Sequence, residues 1–561
     1  MKNIKYITGC LVLCVVFMTS CKKDFLSLTS TDKISNATIL SDTSLFEAYV
    51  INRYIGVKLQ DKEDDNTGFG RGFQWALWSS LTDESIYNND DNTWVIQQGH
   101  LAPNNLGDAG TLWGRSYRGI RECNYALSVI NGLPLSAGHK NKLIGELEFI
   151  RAFRYQDLIR NYGGVVLMGD KVTELTDNLQ DPSLFNRASI TESIAYANSQ
   201  LDDAASKLPV DNGSTWALGR ATKGAALALK SRLLLYAASP LYNAGTWQAA
   251  AAAAKAVMDL GKYSLFQGGY RQLFVTPENN NEIIFERLFY PVTAAHLPIE
   301  TDNGPNSYGG YGGNVPLQNI VDAYQMSNGK PITDPASGYD SQNPYVNRDP
   351  RFYATILYNR APYRNSTVDV FLPGGKDSNQ GPNPQNASKT GYYLRKFADD
   401  NYPVTGSNQT GAQPWIYFRY AEILLNYAEA QNEAVGPDAS VYQAINTIRQ
   451  RASVNMPILS GLSQDDMRTA IRNERRIELA FEEHRFYDVR RWKIAEQTEN
   501  VPAYGIAVSV NAANPSGYSY AQKVALTGRS FLPQHYWLPI PLAEIQASNG
   551  QLKQNSFYTN Q

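Results

Sequence analysis

Cysteine and histidine are scarce in this chain, four and five residues among 561, and each scarcity removes a class of chemistry. Cys10, Cys14 and Cys21 lie in or directly after an apolar N-terminal run, so Cys123 alone remains for the folded body. One thiol makes neither a disulfide framework nor a cysteine-ligated metal centre. Within its helical pattern Cys123 reads as a packing residue. His100, His139, His296, His484 and His535 are scattered with no HExxH spacing, and neither GxSxG nor GxxxxGK[ST] occurs. Gly68, Gly70 and Gly72 alternate without the preceding strand and following helix that cradle a phosphate. The runs Asp61 to Asp65 and Asn88 to Asn92 do not follow the spacing of a calcium loop. No cofactor, no metal and no enzymatic activity are therefore expected, although spacing alone leaves open a carboxylate pair for glycoside hydrolysis. Positive charge is not in excess either: 51 Lys and Arg face 53 Asp and Glu, for a net charge of −2. That balance offers nucleic acid no basic surface.

What is present starts with a sharp N-terminal pattern. Lys2 and Lys5 precede an apolar segment from Ile7 to Met18, which ends in Met18-Thr19-Ser20-Cys21. This is the layout of a secretory signal, too short to span a membrane, and its end resembles a bacterial lipobox. Residues 1–20 read as a signal peptide, Cys21 as the acylated first residue of the mature protein, and the polar stretch to Asn36 as a tether. Each buried CH₂ of an acyl chain contributes about 0.8 kcal/mol, so several chains on one cysteine would anchor the protein firmly.

The remainder, 37–561, reads as one domain. Helical periodicity dominates 40–265 and 415–492. Trp113, Tyr117, Ile120, Asn124 and Leu127 share one face. Lys140 to Tyr162 ends at Gly163-Gly164, and Ser189-Ile190-Thr191-Glu192 is a capping box leading into Ile194, Ala197, Leu201 and Ala204. Thr222 to Ala238 stops before Pro240, and the Ala-rich Trp247 to Leu260 follows. Later, Tyr417 to Ala434 and Val441 to Ala452 pair across Gly436-Pro437. Paired helices with small residues at their contacts predict a mainly α fold of tetratricopeptide-like repeats, without a strict period of 34 residues. Between them lie loop-rich parts, 60–110, 268–414 and 496–561, including a strand-like run at Glu282 to Phe289 and the glycine-rich Ser307 to Gly313. The tail after Glu496 reads as irregular until Trp537 to Ile545. So much irregular chain in a compact domain is usually there to bind something.

Arg472 to Trp492, RNERRIELAFEEHRFYDVRRW, is the densest cluster of Arg and Glu. Glu482 and Arg485, and Asp488 and Arg491, are three apart, the spacing of neighbours on a helix. Ile477 and Phe481 mark one apolar row; Phe486, Val489 and Trp492 mark another, out of phase, and a bend near Glu483 and His484 reconciles them. Aromatics threaded through alternating charge predict a buried clasp for the last helices rather than a reactive centre.

Several segments together resemble the SusD/RagB family of outer-membrane lipoproteins. They are Cys21 followed by Phe25-Leu26, RAFRYQDLIRNYGGVVL (Arg151 to Leu167), RATKGAALALKSRLLLYAASPLYN (Arg220 to Asn243), FRYAEILLNYAEA (Phe418 to Ala430), the Arg472 to Trp492 stretch, and LPIPLAEI (Leu538 to Ile545). They occur in family order across essentially the whole mature chain. The pattern departs from the family at Glu483, where relatives often carry Gly, and at Asn555-Ser556-Phe557-Tyr558, where the tail often reads Asn-Pro-Gly-Tyr. The resemblance implies a helical-repeat fold that supports a loop-rich face and glycan binding without catalysis. It also implies exposure on the extracellular side of the outer membrane through the lipid anchor, and partnership with a SusC-like TonB-dependent transporter, over which the lipoprotein acts as a lid. The alternative is a helical scaffold or lid that binds the transporter and a peptide or other non-glycan cargo.

A pyranose offers an apolar C–H face to an aromatic ring and a rim of hydroxyls to Asp, Asn, Arg or His. Two loop regions supply both kinds of group. The candidate glycan contacts are Asp83, Asn92, Trp94, His100 and Asn104 in the first, and Tyr290, Tyr308 and Tyr311 in the second. Thr82-Asp83-Glu84 resembles a family segment close to the glycan site. Plainer readings stand beside these. Trp75 and Trp78, three apart, form a buried helix face; Asp83 caps a helix beginning near Ser85; His100, Asn104, Tyr290, His296 and Asn306 are structural loop groups; and the glycine-flanked Tyr308 and Tyr311 form a transporter contact.

Overall fold

A computed structural model describes residues 42–54, 73, 76–89, 92–174, 176–275, 280–290, 296–404 and 410–558. The signal peptide, Cys21 and the tether lie outside the described residues, as do Asp61 to Asp65, the alternating glycines from Gly68 to Gly72, and Trp75.

The fold is mainly α. After α1 (Thr43–Asn52) come α2 (Leu112–Val129), α3 (Ala137–Tyr162), α4 (Ile190–Lys207), α5 (Lys223–Ala238) and α6 (Trp247–Met258). Each of α2 to α5 packs against the next. The chain then leaves this array, and α6 receives α7 (Tyr420–Val435), which in turn carries α8 (Ala439–Arg449) and α9 (Gln464–Glu478). Stacked neighbouring helices of this kind are the tetratricopeptide-like arrangement that the sequence predicts. The contacts use small side chains: Ala225, Ala226 and Ala228 of α5, Ala250 and Ala254 of α6, and Ala421 and Ala428 of α7 are all buried, which lets the axes approach closely.

Local chemistry sets the helix ends. Ser136 Oγ accepts from His139 N at the start of α3, and Gly163 stops it with φ 78. Ser189 and Glu192 form the expected capping box, and Thr222 and Thr246 cap α5 and α6. These caps satisfy amides that have no partner inside their helices.

The strands correct three expectations. Ser85 begins β1 (Ser85–Tyr87), not a helix, and β1 pairs antiparallel with β3 (Asn314–Pro316). β2 (Ile283–Arg287) pairs antiparallel with β4 (Trp415–Arg419), so α7 starts at Tyr420 rather than Tyr417. Trp-Ile-Tyr-Phe is a β-favouring run, and all five residues of β4 are buried, which overrides the helical pattern that follows. The tail after Glu496 contains β5 (Ala503–Val510) and β6 (Tyr518–Leu526), the longest hairpin among the described residues. Ala, Ser, Gln and Lys dilute its apolar alternation and conceal it in the sequence.

Candidate functional site

Two charged and aromatic regions stand out, and they differ in what surrounds them. In the first, α9 leads through a tight turn into α10 (Arg485–Arg491). Phe481 and Glu483 in that turn have φ 62 and 63, which is the bend expected near Glu483 and His484. Left-handed backbone at Glu483 is a conformation glycine enters freely, so the residue often found there in relatives fits the same geometry.

Around this turn the charges pair inside the protein. Asp488 accepts from Arg491 at 2.8 Å and from Arg475 at 2.7 Å. Glu429 accepts from Arg491 and from Trp492 Nε1, each at 2.7 Å. Glu482 pairs with Lys396 (2.6 Å) and Arg419 (2.7 Å), not with Arg485. Glu478 meets Arg419, Arg351 and Arg451 at 2.8, 2.9 and 3.1 Å, and Arg419 also reaches Glu282 at 2.8 Å. All of these side chains are buried. Burial alone would raise the Glu429 carboxyl, but the Arg491 and Arg475 cations overcome it and bring it down to about 2. His484 is buried beside Arg232 and Arg475 and held well below the usual histidine range, so it is neutral. Its Nδ1 lies 3.2 Å from Arg475 Nη2 as an acceptor.

Asp83 belongs to this clasp. Its Oδ1 accepts from Arg485 Nε at 2.7 Å, and its Oδ2 accepts from Arg485 (2.8 Å) and Arg476 (2.7 Å). Both oxygens are taken and the residue is buried, which removes Asp83 from the set of ligand contacts. It caps no helix. Beside it, burial pushes the Glu84 carboxyl up to about 8, and Oε2 accepts from Phe481 N at 3.3 Å.

The second region is a face built from loops. Pairing of β1 with β3 brings residues 82–89 against 300–316, and the contact continues past the strands. Asn88 N donates to Gly313 O at 2.7 Å and Asn89 Nδ2 to Tyr311 O at 3.3 Å. Asn88 also fastens the loop at 387–389, donating to Ala387 O (3.1 Å) and accepting from Lys389 N (3.1 Å). The glycines of this loop permit backbone contact: a Cβ on Gly310 would stand 2.1 Å from Gly304 O.

The structure places the predicted contacts as follows. Trp94, on the short helix Thr93–Gln97, is 41% exposed, with its ring 5.5 Å from His100 in an edge-on arrangement. Asn92 caps that helix in the left-handed conformation (φ 55), and Asn92, His100 and Asn104 are exposed. The C-terminal segment supports this stretch of chain, through Ser530 N to Gln97 O (2.9 Å) and Leu542 N to Pro103 O (2.8 Å). Tyr290 is 53% exposed, beside a buried aromatic cluster in which His296 lies 4.7 Å from both Phe73 and Phe289. The His296 ring nitrogens face the carbonyls of Leu297 and Gln413, to one of which the neutral imidazole donates, and burial lowers it to about 4. Trp78 is buried against Phe486 in the clasp.

Tyr308 and Tyr311 are half-buried. The Tyr308 hydroxyl donates to Thr367 O at 3.0 Å, Tyr363 meets its ring edge-on at 5.0 Å, and Lys376 Nζ lies over it at 4.6 Å. Arg364, at the tip of the hairpin Pro362–Tyr363 and Ser366–Thr367, sits 5.9 Å from the same ring. Sequence reading missed Arg364 and Lys376. Their only signal is position: each is a lone cation within a turn, in Pro-Tyr-Arg-Asn and Gly-Gly-Lys-Asp.

The chain matches the model of the SusD family over residues 271–558, and a second one, described as starch-binding associating with outer membrane, over residues 24–235. A solved SusD-like protein from Bacteroides fragilis is 31% identical with a TM-score of 0.77, covering 94% of this chain and 99% of that one. A SusD-like carbohydrate binding protein from the same species is 25% identical, also with a TM-score of 0.77, over 92% and 100% of the two chains. SusD-like protein P2 of Formosa agariphila is 24% identical over 458 residues, 75% of this chain and 82% of that protein. With a helical array and family models matched over residues 24–235 and 271–558, the chain belongs to the SusD family.

Proposed function

We propose that this protein is a non-catalytic glycan-binding lipoprotein of the outer membrane. It captures oligosaccharide on its loop face and delivers it to a SusC-like TonB-dependent transporter, with Cys21 as the lipid anchor. The observation that carries the glycan reading is the exposed Trp94 and His100 pair, in a chain segment that also exposes Asn92 and Asn104. An exposed aromatic in a segment with exposed hydrogen-bonding residues suits the two-sided chemistry of a sugar. The relative described as a carbohydrate binding protein supports the same reading.

A non-catalytic role is supported by where two adjacent, strongly perturbed carboxylates lie. Asp83 and Glu84 are driven in opposite directions, the signature of an acid and base pair. Yet both are buried under the clasp and bonded to Arg485, Arg476 and Phe481 N. The cations of Arg476 and Arg485 hold Asp83 down while burial pushes Glu84 up, so both shifts have a structural cause in the core.

Affinity electrophoresis against a panel of polysaccharides, with product analysis, tests the proposal. Binding without release of reducing ends is expected. Trp94→Ala should weaken it by about two- to tenfold, the scale of one aromatic contact, with stability within about 0.5 kcal/mol of wild type. Undiminished binding by both Trp94→Ala and His100→Ala would place the site elsewhere. Co-purification with a β-barrel in the absence of any glycan binding would favour a scaffold or lid with another cargo.

A further inference from the structure

We infer that the Tyr308 corner of the loop face is a subsite for an acidic sugar, whose carboxylate or sulfate ester is received by Lys376 and Arg364. The inference rests on the glycan reading above and narrows its ligand class.

Tyr308 is not a bare stacking platform. Lys376 Nζ lies 4.6 Å from the ring centre and 3.2 Å from the hydroxyl oxygen. The Arg364 guanidinium lies 5.9 Å from the same ring and 5.3 Å from that of Tyr363. A neutral pyranose seated on this ring would have to displace an ammonium and lose its cation–π attraction. An anion approaching the same place meets two cations already held in position.

The carboxylates nearby feel these cations, Glu300 that of Arg364 and Asp377 that of Lys376, but their hydrogen bonds go to other groups. Asp369 pairs with Arg360 at 2.7 Å and accepts from Thr367 Oγ1 at 2.9 Å. Asp377 is buried, and its oxygens accept from the amides of Ser307 (3.2 Å) and Asp369 (2.9 Å). Glu300, also buried, accepts from Asp399 N at 2.6 Å and Gln413 Nε2 at 2.9 Å, and burial pushes its carboxyl up to about 7. No ion pair joins Lys376 or Arg364 to a carboxylate among the described residues, whereas the clasp cations Arg351, Arg419, Arg475 and Arg491 each have one. Nε and Nη2 of Arg364 are shielded from solvent without a hydrogen-bond acceptor.

The backbone adds an independent observation. Arg364 adopts φ 54 at the hairpin tip, a left-handed conformation that Gly or Asn would take more easily. Arginine at such a position is accounted for by its side chain. A forked guanidinium and a point-charge ammonium on one ring suit an oxyanion, and the exposed Ser307 and Ser366 beside them offer hydroxyls to the sugar rim.

The test uses the purified lipoprotein in detergent, titrated with polygalacturonate (carboxylate only), κ-carrageenan (sulfate only) and the neutral glycans amylopectin and unsulfated galactan. Binding to an acidic glycan is expected. It should fall about tenfold or more in the Arg364→Gln/Lys376→Gln double variant, survive in Lys376→Arg, and weaken as salt rises from about 50 to 500 mM. The melting transition of the double variant should match wild type. Preference for polygalacturonate identifies a uronic acid as the ligand, and preference for carrageenan a sulfate ester. Acidic binding that survives in the double variant, or binding to neutral glycans only, overturns the inference and leaves the glycan reading standing. Failure to bind any of the four overturns both.

Discussion

The clasp at Arg472 to Trp492 and the corner at Tyr308 are built from the same materials, arginine or lysine laid against aromatic rings, yet they do opposite things. In the clasp, Arg491 lies 4.6 Å from the Trp492 ring and also meets Glu429 and Asp488. In the corner, Lys376 lies 4.6 Å from the Tyr308 ring and donates to the hydroxyls of Tyr308 and Ser366, with no ion pair to a carboxylate among the described residues. A buried cation with a carboxylate is complete, and removing either partner strands a charge away from water. A half-exposed cation without one is left for solvent or a ligand to complete. On the proposed reading, charge density marks structure in one region and recognition in the other, and the deciding variable is whether the protein supplies the counter-ion.

The largest effect that could break this comparison is in the clasp. Arg419 serves Glu282, Glu478 and Glu482 at once. Arg419→Ala should cost about 3–5 kcal/mol of stability, the scale for stranding buried partners, read from chemical denaturation. A variant as stable as wild type would show that the lattice does not hold the fold.

Acidity and alkalinity should act on the clasp next, with opposite signs. The Glu429 carboxyl is lowered from 4.5 to about 2, so its contribution is fully present above pH 4.5 and is lost as pH falls toward 2. The Glu84 carboxyl is raised from 4.5 to about 8. The folded state then holds a proton that the unfolded state has released, and stability declines as pH rises from 4.5 to 8. Glu84→Gln should flatten that alkaline limb in melting curves taken across this range; an unchanged slope would assign the limb to another group.

Arg476→Ala should cost less, about 1–3 kcal/mol, because Arg485 keeps both oxygens of Asp83 bonded. The folded fraction should bind glycan as wild type does. A stable variant that has lost binding would move the clasp into the recognition machinery. Smallest of all in stability are the surface substitutions at Trp94, Arg364 and Lys376, whose effects should appear in binding alone.

Much of the helical array was legible in the chain. The capping box at Ser189, the stop at Gly163 and the Ala-rich α6 state their structure through local chemistry, because helix ends and periodicity involve residues only a few positions apart. The bend near Glu483 was legible for the same reason, since two out-of-phase apolar rows cannot share one straight helix. Less could be read where partners are remote. Glu482 and Arg485 have helix-neighbour spacing, but Glu482 turned to Lys396 and Arg419 and Arg485 to Asp83. Asp83 looked like a loop carboxylate open to ligand, and the arginines that enclose it arrive from almost 400 positions away.

The sequence by itself determined the fold class, the family and the order of helices, because these are encoded in short-range periodicity, caps and contiguous motifs. Only the tertiary structure decided which charged and aromatic residues are core and which face a ligand. Burial and counter-ion supply depend on chain segments brought together by folding, and no spacing along the sequence records them.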